Sequence, residues 1–361
     1  MEQNMNGLSR DLIIHPGETL AEILSDKEMT QKELSVRTGF TEKHVSTVVK
    51  GTRGISPSFA KKLEYVLGIS ATFWNNLQSN YEKEISEFED ANNISKEEIE
   101  ILKPLKDIIS YFCEKRKLND EDNEAVKVLE LRKLLGVGNL TYIPNIKYNA
   151  AFRAQIASNA NVYVLFAWLQ ICESVTSDIE ITKELDINKL KCKIPEIKQV
   201  MFCDANEIQE KLGKIFAECG IVFRIVKHFK GAPVQGFIKT DANGRIILCM
   251  TIRRGFADIF WFTLFHEIGH IINGDAKLKF IDFESAESET ELKANKFASD
   301  ILLNQKEYDY FIKQGKYSLR DINEFALSQN VPRYIVIGRM QKEDILDYGQ
   351  FTNEKVRYCW A

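Results

Sequence analysis

In the stretch "FTLFHEIGHIINGD", residues 262 to 275, His266 and His270 stand four apart and Glu267 directly follows the first. On a helix, positions i and i+4 share one face a turn apart, so both imidazoles can be aimed at a single ion roughly 2.0 to 2.1 Å away. Glu267, beside the first ligand, is placed to take a proton from water at the ion's open position. That spacing serves zinc-assisted hydrolysis of a peptide bond. The chain has only five histidines, and the string H-E-x-x-H arises by chance in well under about one such chain in a hundred. The plain alternative is a core helix whose histidines bond to carbonyls.

A third ligand sets the subclass. A metzincin needs Gly at 273 and His at 276, where this chain has Asn273 and Ala276, and the other histidines are His15, His44 and His228. A carboxylate is therefore expected. Downstream, "ESAESETELKANKFASDILL" reads as a helix starting near Ser288 or Thr290, with Glu284, Glu287, Glu289 and Glu291 as candidates. Glu291 shares a face with Ala294 and Ala298, small residues that let two helices approach closely enough to share an ion, so Glu291 is the choice. Asn273 or Asp275 is expected to cap the histidine helix or to bond the second nitrogen of a ligand imidazole.

The elements that must position these groups read as helix, short sheet, helix. "NEIQEKLGKIFAECG" is a helix closed by Gly220, and "IVFRIVKHF", "VQGFIKT" and "RIILCM" are strands rich in β-branched residues. "DANG" joins the last two as a hairpin. The histidine helix starts at about Asp258. This is the element order of zincin-type peptidases, and an edge strand near "VQGFIKT" could receive an extended peptide by strand addition.

"DIFWFTLFHEIGHII", "KFID" and "ETELKANKFASDILL" resemble the ImmA/IrrE metallopeptidases, and the likeness runs from "AAFRAQ" and "AWLQICE" to "IVIGRMQKE". The resemblance implies zinc held by His266, His270 and Glu291, with Glu267 as the base. It also suggests that Arg253 and Arg339 approach the site to stabilise an oxyanion or bind substrate; surface or structural ion pairing is the alternative for both. Tyr334 and His228 are weaker candidates of the same kind. The sequence departs from the family pattern at Lys293, where another acid is common, and at "LLNQ", where a proline is usual.

The front of the chain is a different module. "PGETLAEILSDKEM", "TQKELSVRTG", "TEKHVSTVVKG", "SPSFAKKLEYVLG" and "SATFWNNLQSNYEKEI" each begin with Ser, Thr or Pro, and several end at Gly, which marks five short helices in one bundle. The tight "TGFT" joins the second and third. Thr30 and Thr41 are expected caps, and Leu34, Val36, Val45 and Val48 fall at core spacing. This is the pattern of a helix-turn-helix. Thr41, Lys43, His44 and Thr47, with Gln31, should then face the major groove, while Lys50 and Arg53 join Lys43 in attracting phosphates. A helical module that binds protein would carry a similar basic face. Residues 15 to 82 resemble the DNA-binding domain of HigA-type addiction-module antitoxins in the wider XRE repressor class, which implies an operator, a possible toxin partner and a homodimer.

Bulk properties agree with two such modules. The 361 residues are 44% hydrophobic and 28% charged, ordinary for a globular protein, and a net charge of −4 gives no global nucleic-acid signature. Lys27 to Lys62 nevertheless holds eight Lys/Arg against three Glu, a local basic patch. There is no leader-like start, and "VYVLFAWLQI" is too short to span a bilayer, so a cytoplasmic protein without membrane contact is expected. Seven scattered cysteines without a C-x-x-C pair are expected to be reduced and mostly buried. Residues from Tyr148 to Glu173 should form one long amphipathic helix or two.

The expected fold is α+β and mostly α. Residues 1–82 are the helix-turn-helix domain, 83–195 a helical connector, and 196–361 an ImmA/IrrE-like zinc metallopeptidase domain with a C-terminal helical extension. The expected function is a DNA-binding transcriptional regulator fused to a zinc endopeptidase that cuts a regulatory protein, a repressor or antitoxin, or itself. The alternative is a regulator or antitoxin whose zincin-like domain senses a ligand or binds a partner without cutting.

Overall fold

The computed structural model describes residues 10–146, 160–181, 183–241, 244–274, 289–315 and 317–360. Among them the chain is mostly helical with one small mixed sheet, the expected class. It divides into two compact units, Met1–Leu102 with Arg116–Lys133, and Lys103–Lys115 with Leu134–Ala361.

The first unit opens with five helices: α1 (Pro16–Asp26), α2 (Gln31–Thr38), α3 (Glu42–Val49), α4 (Pro57–Leu67) and α5 (Ala71–Asn92). Thr30, Thr41, Ser56 and Ser70 each accept a backbone N–H from three residues on, which satisfies one of the orphan donors of a first turn. His15 does the same for α1 through Nδ1, which accepts from the Gly17 amide at 2.9 Å. Gly39 and Gly68 close α2 and α4 at φ of 76° and 77°, a left-handed turn in which a side chain would be strained. Leu20, Leu34, Val45, Val48, Phe59, Leu63 and Trp74 form the core. Val36 does not join it: at 77% exposed it lies on the outer side of α2, because Leu34, Ser35 and Thr38 already occupy the inner face of this two-turn helix.

The same unit includes α6 (Lys96–Ile101) and, beyond α7 of the second unit (Lys106–Glu114), the part of α8 (Glu124–Leu135) up to Lys133. A buried ion pair ties them. Arg132 Nε donates to Glu98 Oε1 at 3.0 Å and its Nη2 to Oε2 at 2.5 Å, a two-pronged bond with the Glu98 side chain wholly buried.

The second unit continues with a 3-10 helix (Leu140–Asn145), α9 (Val162–Thr176), α10 (Ile187–Val200) and α11 (Ala205–Glu218). Residues 148–159 of the segment expected to be amphipathic lie outside the described residues; α9 itself is buried on almost every side, since it covers the sheet. The strands are β1 (Ile221–Ile225), β2 (Gly236–Thr240) and β3 (Ile246–Met250), in the order β1-β3-β2. Strand β3 is central, parallel to β1 and antiparallel to β2. The expected first strand was drawn to Phe229; ladder pairing ends at Ile225, although the Val226 amide still bonds Met250 O at 2.8 Å. Of the expected "DANG" turn, 242 and 243 lie outside the described residues.

Strand side chains alternate between faces. Phe223, Ile238 and Leu248 enter the main core, while Phe237, one residue along β2, meets Trp168 of α9 edge-on with ring centroids 5.9 Å apart. The main core also takes in α12 (Ala257–Asn273), α13 (Glu289–Leu302), α14 (Gln305–Lys313), α15 (Leu319–Ser328) and α16 (Arg333–Lys342). No helix of the described residues is long and apolar enough to cross a membrane. All seven cysteines are free, but the expectation that most are buried is corrected: Cys172, Cys219 and Cys249 are buried, Cys113 and Cys203 half-buried, Cys192 and Cys359 exposed. The exposed two sit on a solvated helix face and near the chain's last residues, where no apolar surface covers them.

The Glu98 to Arg132 pair yields a test. Glu98→Ala leaves a guanidinium buried without its main partner, a loss of about 3–5 kcal/mol in urea unfolding of the full chain. The double variant with Arg132→Ala should recover part of it. Equal unfolding curves for the native chain and Glu98→Ala would show the bridge to be without structural weight.

Candidate metal centre and nucleic-acid face

The helix α12 carries the histidines and is apolar around nearly its whole circumference, because it is wedged between the sheet and α13. It ends at Gly274, whose φ of 83° provides a left-handed cap. The expected capping by Asn273 or Asp275 is thus displaced: Asn273 is the last helical residue, and Asp275 lies outside the described residues.

The approach of α12 to α13 depends on small residues. A Cβ on Gly269 would lie 3.2 Å from Ala294 Cα and 3.1 Å from the Phe297 ring, tighter than ordinary contact. Ala294 and Ala298 are themselves wholly buried. At this separation His266 and His270 on one helix meet Glu291 on the other. His266 Nε2 and His270 Nε2 are 3.0 Å apart, and Glu291 Oε2 lies 3.1 Å from the first and 3.6 Å from the second. Ligand atoms of a tetrahedral zinc with bonds near 2.0 to 2.1 Å are about 3.3 Å from one another. The donor set and its spacing fit such an ion.

The protonation pattern fits as well. His266 Nδ1 lies 2.9 Å from Asn295 Oδ1. The amide oxygen can only accept, so Nδ1 carries a proton and the neutral ring presents its lone pair at Nε2, the atom facing the other donors. Sequence reasoning missed Asn295, yet a signal was there: it stands at i+4 from Glu291, on the same face of α13.

Glu267 is almost wholly buried beside this group. Its carboxylate lies in a cradle made by the first residue of β2: a Cβ on Gly236 would sit 2.1 Å from Glu267 Oε1. Just before Gly236, Gln235 Oε1 accepts from the Thr263 hydroxyl at 3.0 Å and so fastens the edge strand to the histidine helix. Strand β2 is an edge of the sheet, as the sequence reading expected.

Of the other acids, Glu284 and Glu287 lie outside the described residues, and Glu289 is exposed and paired with Lys293 at 2.7 Å. The Lys293 charge that departs from the family pattern is therefore engaged along the outside of α13. A cavity of about 1060 Å³ opens on the centre and is lined by His266, Glu291, Asn295, Arg254 and Arg339 among others. Arg253 is not among its lining residues. It is exposed and donates to Pro233 O at 3.2 Å, while its neighbour Arg254 faces the cavity, a distinction of one residue in a turn that periodicity does not resolve. Arg339 is stacked 3.9 Å above the Tyr308 ring centroid and held by Glu343 and Gln305. Tyr334 and His228 do not line the cavity. The Tyr334 hydroxyl donates to Met201 O in the core, and burial raises its pKa. Burial, with Arg253 and Lys227 nearby, lowers that of His228.

In the first unit, α2 and α3 form the expected helix-turn-helix. Thr30 Oγ1 accepts from the Glu33 amide at 3.1 Å and Thr41 Oγ1 from the His44 amide at 3.2 Å. Thr41, Lys43, Lys50 and Arg53 are exposed, and Gln31 and Thr47 are partly so. His44 is the exception and a correction: it is buried, with its ring 4.6 Å from that of Phe40 and 5.0 Å from that of Phe59. It precedes Val45 and lies one turn before Val48, so it belongs to the core-facing arc of α3. Burial and the charge of Arg53 lower its pKa.

Comparison with known proteins matches residues 259–335 to the family described as Peptidase_M78, IrrE N-terminal-like domain. No curated protein matches the chain. Among solved structures, the chain is similar to a HigA-family addiction module antidote protein from Coxiella burnetii, at 32% identity over 20% of this chain and 80% of that one, with a TM-score of 0.20. It is also similar to the Pseudomonas aeruginosa antitoxin HigA with higBA promoter, at 35% identity over 20% and 80%, TM-score 0.20. A third is an antidote protein of a plasmid maintenance system from Nostoc punctiforme, at 27% identity over 23% and 97%, TM-score 0.20. His266, Glu267, His270 and Glu291 thus all fall within an IrrE N-terminal-like segment, in a chain whose N-terminal part is similar to HigA-type antitoxins.

Proposed function

We propose that this protein is a DNA-binding regulator that carries a zinc-dependent endopeptidase and cuts a regulatory protein, a repressor or antitoxin, or itself. The observation that supports it most is the convergence of His266 Nε2, His270 Nε2 and Glu291 Oε2 at the spacing of a zinc donor set. A zinc ion held there supplies a Lewis acid that polarises a peptide carbonyl and eases deprotonation of water.

The remaining roles belong to the chain's own groups. Glu267 accepts a proton from the attacking water and returns it to the leaving amine, as a carboxylate adjacent to the donor set can. Gly236 keeps the space that this carboxylate occupies. Asn295 holds His266 in the tautomer that leaves Nε2 free to ligate. The edge strand β2 offers backbone groups to an extended peptide, which suits limited cleavage of an exposed segment. Arg339 and Arg254 stand on the cavity wall where substrate would lie.

In the first unit, Lys43 and Thr47 on α3, its caps Thr41 and Lys50, and Gln31 and Arg53 form the face that would meet DNA. Their hydroxyl and amide groups can read base edges, and the cations can neutralise phosphates. His44 supports this face from inside. Its operator is proposed to lie in the promoter of its own locus, read by a homodimer, with a toxin as a further partner and the cytoplasm as the place of action.

Three results are expected. Glu267→Gln should keep stoichiometric zinc, measured by metal-resolved mass spectrometry, while lowering cleavage about 10²- to 10⁴-fold. Truncated regulators would then disappear from cells carrying the variant, and their persistence would refute the peptidase. Gly236→Ala should impair cleavage by displacing Glu267, with zinc content preserved; full activity would mean that this cradle does not position the acid. Titration with promoter DNA of its own locus should weaken as salt rises, and Lys43→Gln should reduce the log–log slope by about 0.9. Affinity indifferent to salt, or none, would remove operator binding.

A further inference from the structure

The cavity that opens on the metal centre has a cationic wall. Arg339 and Lys342, three residues apart on α16, both line it, as do Arg254 and Lys355. The acids on the same lining are already engaged: Asp258 binds Lys355 at 3.0 Å, Glu343 binds Arg339 at 2.9 Å, and Glu291 belongs to the donor set. Among the described lining residues the cations therefore outnumber the acids, four to three.

Arg339 is also fixed in orientation. Its guanidinium carbon lies 3.9 Å from the Tyr308 ring centroid, Nε donates to Glu343 Oε1, and Nη2 donates to Gln305 Oε1 at 2.6 Å. The third nitrogen, Nη1, is buried and has no hydrogen-bond partner among the described residues. Lys342 is exposed at the rim, its ammonium 4.6 Å from the Phe262 ring centroid, and Phe262 stands one turn before His266 and lines the cavity too. Among the described residues, no carboxylate forms an ion pair with this second cation.

We propose that Arg339 and Lys342 form a subsite for an acidic side chain, so that the peptidase selects peptides with Asp or Glu close to the scissile bond. This rests on the reading of the cavity as a zinc peptidase site. Lys342, exposed at the rim, meets the carboxylate, and Arg339, held in place behind it, adds a fixed charge of the same sign.

The test uses the full chain loaded with zinc and three short peptide hydroxamates, identical except for Glu, Gln or Lys at one position. The hydroxamate anchors each compound on the metal, so calorimetric affinity reports the side chain without requiring turnover. The Glu compound should bind about five- to tenfold more tightly than the Lys compound, and Lys342→Glu should invert that order. Lys342→Gln, which removes the charge at the rim, should bring the Glu and Lys compounds to within about twofold of each other. Circular dichroism of each variant checks that it is folded. Zinc-dependent binding with equal affinity for all three compounds overturns the subsite and leaves the metal centre standing. Failure of all three to bind in a zinc-dependent way overturns the metal centre and the subsite with it.

Discussion

The close packing of α12 against α13 is the constraint on which the second unit's chemistry depends. Gly269 and Ala294 remove the side-chain volume that would hold the two helices apart, and Ala298 extends that contact by a turn. Only at this separation can a carboxylate on one helix reach imidazoles on the other. Three polar side chains in a nearly dry setting would otherwise be costly; an arrangement that shares them around one cation turns that cost into an affinity. The apolar circumference of α12 has the same logic, because a helix that must lie between a sheet and a second helix has no face left for water.

Much of this was legible from residues alone, for physical reasons. Helical periodicity placed His266 and His270 on one face, and the small residues at 294 and 298 pointed to Glu291, whose carboxylate lies beside the two rings. Caps at Thr30 and Thr41 and the turn at Gly39 wrote the helix-turn-helix. Strand order was less accessible: alternation and β-branching locate three strands, but nothing local says that β1 lies beside β3 rather than β2. The pairing follows from the crossover, a tertiary property.

The misses have separate causes. Val36 and His44 were assigned by spacing within two-turn helices, where a shift of one residue moves a side chain by about 100° around the axis. On so short a helix, neighbours decide which arc is inside, and Phe40 and Phe59 claimed His44. Arg254 rather than Arg253 lines the cavity, in a turn where no period applies. Asn295 and Gly236 went unseen because each acts through another residue: the first orients a ring, and the second is defined by a side chain it lacks.

Helix α13 supplies both Glu291 and, one turn on, Asn295, so a donor atom and the group that sets a neighbouring ring's proton ride on a single rigid rod. Rotation or sliding of that rod would withdraw both contributions in the same movement. A carboxylate and an amide that share one helix keep their spacing to each other wherever that helix goes, so the two contributions stay in register.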